Sequence, residues 1–176
     1  MKGQMYMIAA FALILLFSIG IAGLKPSVLD NSSPLDSFLE NAASEFPRAY
    51  NLEKDASDIH NFTEYLKSAA SEKNINLKGI WLVSIHRKSG IVLNAGNLLG
   101  SREAIAINIG SRNATIELDE GGMGSAEFDN VGESFLIEIA YQGRAVKLPW
   151  KRDKDNMYAE LIAESGSNVA RKAINA

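Results

Sequence analysis

Three asparagines in this chain are followed two residues later by a hydroxyl side chain: Asn31-Ser32-Ser33, Asn61-Phe62-Thr63 and Asn113-Ala114-Thr115. That spacing is the acceptor pattern for an N-linked glycan. Asn31, Asn61 and Asn113 are therefore the candidate glycosylation residues, with Asn113 the best placed because it closes the turn signal Gly110-Ser111-Arg112-Asn113. The run Asp119-Glu120-Gly121-Gly122-Met123-Gly124, with Glu127 and Asp129 beyond it, sets carboxylates beside glycines in a way that suits calcium. The ligand spacing of an EF-hand is missing, however, and glycines between strands need only a permissive backbone. The run is read as a plain hairpin loop, and no metal residue is assigned.

Other chemistry is sparse. His60 and His86 fall in different predicted elements, a helix surface and a strand end, without metal-ligand spacing. No nucleophile elbow, HExxH, P-loop or dinucleotide fingerprint occurs. Trp81 lies inside an apolar strand and reads as core. Trp150 follows Pro149 at a strand end, where an indole can face solvent and stack on a sugar. The chain has no cysteine, which removes disulfides, thiolate metal sites and cysteine nucleophiles. The expectation is a protein that is not an enzyme, with no catalytic residue, cofactor or metal.

The charge balance narrows the partners. Among 176 residues, 18 are basic and 21 acidic, a formal net charge of -3. Phosphate backbones require a concentrated basic face. The densest basic cluster here, Lys147, Lys151, Arg152 and Lys154, is interrupted by Asp153 and Asp155 and reads as a solvated loop. No nucleic-acid partner is expected.

Positioning begins at the N-terminus. From Met5 to Leu24 the chain carries no charged residue. Such a run, at about 1.5 Å per residue in a helix, spans about 30 Å, the thickness of a bilayer's hydrocarbon core. Lys2 precedes it and Lys25 follows it, so the positive-inside count is nearly balanced. A cytoplasmic N-terminus is favoured because everything downstream looks like an exported domain. A cleaved secretory signal is the rival, with small residues at Ser18, Gly20 and Ala22 for a signal peptidase.

Lys2-Gly3-Gln4 followed directly by the apolar run resembles the class III signal peptide of archaeal type IV pilin-like proteins. The resemblance covers the N-terminal segment only. It implies that a prepilin peptidase cuts between Gly3 and Gln4, that the helix stays on the protein, and that other pilin-like subunits are partners. Family members usually carry a glutamate at the fifth mature position, and Ile8 stands there. The resemblance thus supports processing and anchoring better than filament assembly.

The rest of the chain divides into a linker, 25–33, and an extracytoplasmic domain, 34–176. Ser33 is placed as the cap of a first helix with Pro34 and Asp36 in its first turn. Leu35, Phe38, Leu39, Ala42 and Phe46 follow helical spacing, and Pro47 is expected to end the element. A second helix runs from about Ser57 to Glu72, with Ile59, Phe62, Leu66 and Ala69 as its apolar stripe. Helices thus occupy 34–73.

From Gly79 the period becomes two. Strands are expected at 80–85, 91–95, 104–109, 114–118, 134–141, 145–148, 157–164 and 168–174, separated by turn signals. The fold class is α+β: an N-terminal transmembrane helix over 1–24, two short amphipathic helices, and an antiparallel β-sandwich of about eight strands over 79–176. Function reads as a single-pass, membrane-anchored structural or interaction protein of the cell surface, pilin-like. The alternative is a membrane-tethered binding module for glycan or a partner protein, using Trp150 and the loop near Gly121.

Overall fold

Two helices open the part of the chain that a computed structural model describes, residues 34–53 and 55–176. The processing pair Gly3 and Gln4, the apolar run, the linker with Asn31 and the cap Ser33 lie outside the described residues. Helix α1 spans Pro34–Glu53 and begins on its proline, whose missing N–H costs nothing at a first helical position. Helix α2 spans Ala56–Ser71; the Asp55 side chain caps it by accepting from the Ser57 N–H at 3.0 Å. No helix among the described residues is long and apolar enough to cross a membrane.

Pro47 does not end α1, contrary to the sequence expectation. An interior proline removes one intrahelical hydrogen bond and costs about 3 kcal/mol. Burial on either side of it offsets that cost. Phe46 is fully buried and Tyr50, one turn on, nearly so. The Tyr50 hydroxyl also donates to the Ser84 carbonyl at 2.9 Å, fixing the end of the helix to a strand.

The stripe of α2 is rotated from the expected one. Ile59 and Leu66 are buried as read, but Ala56, Thr63 and Ala70 complete the buried face. Phe62 is half-buried and turns toward α1, where its ring meets Phe46 edge-on at 5.4 Å. Aromatic pairing between the helices decides that rotation.

Nine strands follow among the described residues, all paired antiparallel. They are β1 Asn76–His86, β2 Gly90–Asn97, β3 Glu103–Ile109, β4 Arg112–Leu118, β5 Met123–Asp129, β6 Ser134–Tyr141, β7 Arg144–Lys151, β8 Met157–Ser165 and β9 Asn168–Asn175. They form a five-stranded sheet in the order β5-β2-β1-β8-β9 and a four-stranded sheet in the order β4-β3-β6-β7. Strand β1 starts at Asn76, four residues before the expected strand start at Ile80.

Central strand β1 shows why the layers stack. Its residues Leu77, Trp81 and Val83 pack with the helices, while Ile80 and Leu82 pack with the second sheet. A strand buried on both faces reads as a continuous apolar run rather than an alternation. One core thus lies between the helices and the five-stranded sheet. The other lies between the two sheets, around Leu93, Ile105, Ile107, Ile137 and Ile139.

Strand β5 corrects the hairpin reading of Asp119–Gly124. The segment Asp119–Gly122 does turn, but it joins β4 in one sheet to β5 in the other, and β5 pairs with β2. Gly124 is a close-approach glycine inside β5: a Cβ there would lie 2.8 Å from Ile116 and 3.0 Å from Leu118. With glycine at an inward position, the alternation that marks a strand is erased from the sequence.

Among the described residues the chain crosses between the sheets four times, and polar side chains hold the crossings. Asn97, 1% exposed, donates from its amide to the carbonyls of Ser101, Leu118 and Asp119 at 2.8, 3.2 and 3.1 Å. Its carbonyl oxygen accepts from the Leu99 N–H at 2.9 Å. This one residue ties the β2–β3 and β4–β5 crossings together. Asn156 does the same for β7–β8: its amide donates to Ser84 Oγ and to the carbonyls of Lys151 and Lys154. Arg152 donates to the Val131 carbonyl at 2.9 Å and so holds β5–β6.

Candidate functional site

Strands β6 to β9 bring four polar side chains and a carboxylate to one lateral edge of the two sheets. Glu160 points from β8 toward the second sheet, the same side as Tyr158 two residues earlier, because strand residues two apart share a face. Its side chain is 9% exposed. Its Oε1 accepts from Arg144 Nη1 at 3.4 Å, from the start of β7, and pairs with Arg171 Nε at 3.1 Å, from β9. Next to it, the Tyr141 and Tyr158 hydroxyls are 3.4 Å apart.

Burial dominates the electrostatics of this edge. Desolvation pushes the Glu160 carboxyl above its ordinary value, although two guanidiniums face it. The Tyr158 phenol is likewise raised by burial, with Arg144 pulling it back. Both arginines are about half-exposed, at 53% and 40%, so their outer N–H groups face water. The arrangement clamps β7 of one sheet to β8 and β9 of the other. An anionic ligand at its rim would have to compete with Glu160 for the same guanidiniums. The sequence carried one signal of this site: a lone glutamate at an inward position of Met157-Tyr158-Ala159-Glu160-Leu161-Ile162.

The residues singled out by type and spacing are not brought together. His60 lies half-buried on α2 and His86 is exposed at the end of β1. Glu127 and Asp129 are exposed on β5, with Glu127 paired to Arg87 at 3.3 Å. Among the described residues, no group of three or more histidines and carboxylates is arranged to hold a metal. Trp81 is fully buried beside Gly96. Trp150 is also buried, at 2% exposure, with its indole N–H 3.4 Å from Asn175 Oδ1. It therefore offers no face to a sugar, and its inward position in β7, in register with Phe135 of β6, is the reason.

Beside this strand pair is an open depression of about 340 Å³, lined by Ser134, Phe135, Leu136, Pro149, Trp150 and Lys151. Leu136 stands 54% exposed at its side. It belongs to the outer face of the four-stranded sheet, which no helix of the described residues covers. Asn113 and Thr115 lie on that same face. Asn61 is exposed on α2.

The chain matches no protein-family model and no curated protein sequence.

Proposed function

We propose that this chain is a membrane-anchored structural or interaction protein of the cell surface, a pilin-like subunit. It has no enzymatic activity, its N-terminus is cytoplasmic and its helix-and-sheet domain extracytoplasmic. The observation that carries the reading is the uncharged run from Met5 to Leu24, introduced by Lys2-Gly3-Gln4. The outer face of the four-stranded sheet, which no helix of the described residues covers, supports an interaction role, since the five-stranded sheet has its outer face covered by α1 and α2. Glycine at position 3 lets a protease approach the backbone closely, and Lys2 holds the bond at the water interface.

The test is the N-terminal residue and mass of the protein recovered from its native membrane. A chain beginning at Gln4 supports the reading, and Gly3→Val should then leave the full-length precursor in the membrane. A soluble chain beginning near Gly23 would replace it with a secreted protein. An intact N-terminus would leave a signal-anchored protein with no pilin-type processing.

A second reading is a membrane-tethered binding module. The exposed Leu136 beside Pro149 favours an apolar protein segment as its partner, and the buried indole of Trp150 argues against glycan. Replacing Leu136 by aspartate should abolish capture of such a partner while leaving anchoring unchanged.

A further inference from the structure

We infer that Asn113 is an N-glycosylated residue and that Asn61, which carries the same acceptor pattern, is not. The inference rests on the extracytoplasmic placement of the domain proposed above. Transfer requires two groups to be reachable together: the asparagine amide and the hydroxyl two residues on.

At Asn61 the second group is hidden. Thr63 is fully buried on α2, and its hydroxyl donates to the His60 carbonyl at 2.7 Å. Exposing it means unwinding α2 and breaking the contacts of Ile59 and Leu66 with the core.

At Asn113 both groups are open. In β4, Ala114, Ile116 and Leu118 face the core, so Asn113 and Thr115 share the outer face, and both are exposed. The acceptor lies two residues past a tight turn, Gly110-Ser111, where Gly110 takes a positive φ of 61°. The surface around it suits a sugar. In one row across the sheet, Thr115 is in register with Ala106, Ala140 and Ala145, small side chains that leave a low shelf. In the next, Asn113 is in register with Asn108, Glu138 and Lys147, which supply donors and acceptors for hydroxyl groups.

The reaction is a group transfer from a lipid-linked oligosaccharide. The Asn113 side-chain nitrogen bonds to the anomeric carbon. The bond from that carbon to the lipid phosphate oxygen breaks, the phosphate leaves as an anion, and the amide gives up one proton.

The experiment combines the intact mass of the full chain from its source cells with labelling of intact cells by a membrane-impermeant amine reagent, read at the exposed Lys88 and Lys154. The expected result is an added glycan mass that disappears in N113Q and in T115A and persists in N61Q. Labelled lysines with an unmodified mass overturn the glycan and leave the placement standing. Unlabelled lysines overturn the placement and the glycan with it. A glycan retained in N113Q but lost in N61Q, or found on both residues, overturns the selectivity argued from Thr63.

Discussion

The side-chain amide of Asn97 donates to the carbonyl of Asp119 at 3.1 Å, joining two places where the chain passes between sheets. The same amide reaches Ser101 and Leu118, and the Asn97 backbone exchanges bonds with Gly121 and Gly122 at 2.9 and 3.0 Å. Few polar side chains are this buried and this fully bonded. Asn97→Ala removes the side-chain donor from one buried and two part-buried carbonyls, and a buried group left unpaired costs about 1–3 kcal/mol. A loss of about 3 kcal/mol in denaturant unfolding is expected, and a change under about 1 kcal/mol would show that the crossings hold without it.

Gly96, next in the chain, admits no larger residue. A Cβ there would lie 2.2 Å from Trp81 Cε2 and Nε1. Gly96→Ala must displace a fully buried indole, an overpacking cost of about 1–3 kcal/mol. Tryptophan fluorescence should shift along with the loss of stability. An unchanged emission spectrum would place the indole elsewhere.

Glu160 makes a prediction about sign. Burial raises its folded pKa above the unfolded value. For such a group the stability contribution is full below the unfolded pKa and is lost as pH rises through the folded one. The stability of the native chain relative to Glu160→Gln should therefore fall as pH is raised from about 4 to 7. An advantage that grows with pH would mean that Arg144 and Arg171 outweigh burial and hold the carboxyl below its ordinary value.

The Tyr50 phenol should resist ionisation. Burial first, and then the nearby Asp155 charge, push its pKa up to about 12. Its contribution is present below the unfolded value near pH 10 and is lost as pH rises toward 12. Absorbance titration should show a phenol near pH 12 that Tyr50→Phe removes. That variant also loses the bond to Ser84, at a cost of about 1 kcal/mol. An alkaline titration unaltered by the substitution would refute the assignment.

What the sequence determined by itself was the local pattern. Leu35, Phe38, Leu39, Ala42 and Phe46 announced a helical face, and Ile105, Ile107 and Ile109 a strand, because burial on one side writes its period into the residues. The α+β class and most strand positions followed from that. The acceptor pattern at Asn61 and Asn113 was equally legible, since it is a matter of spacing alone.

Only the tertiary structure decided the rest. Pro47 stays inside α1 because Phe46 and Tyr50 are held by the sheet, a contact no local propensity contains. Strand β5 was hidden because Gly124 occupies an inward position where the sheets nearly touch. Trp150 turned inward because its register with Phe135 puts it on the core face, and a shift of one residue would have turned it out. Thr63 and Thr115 look alike as letters. One is buried in a helix against the sheet and the other stands in solvent, because burial depends on partners brought together from far along the chain.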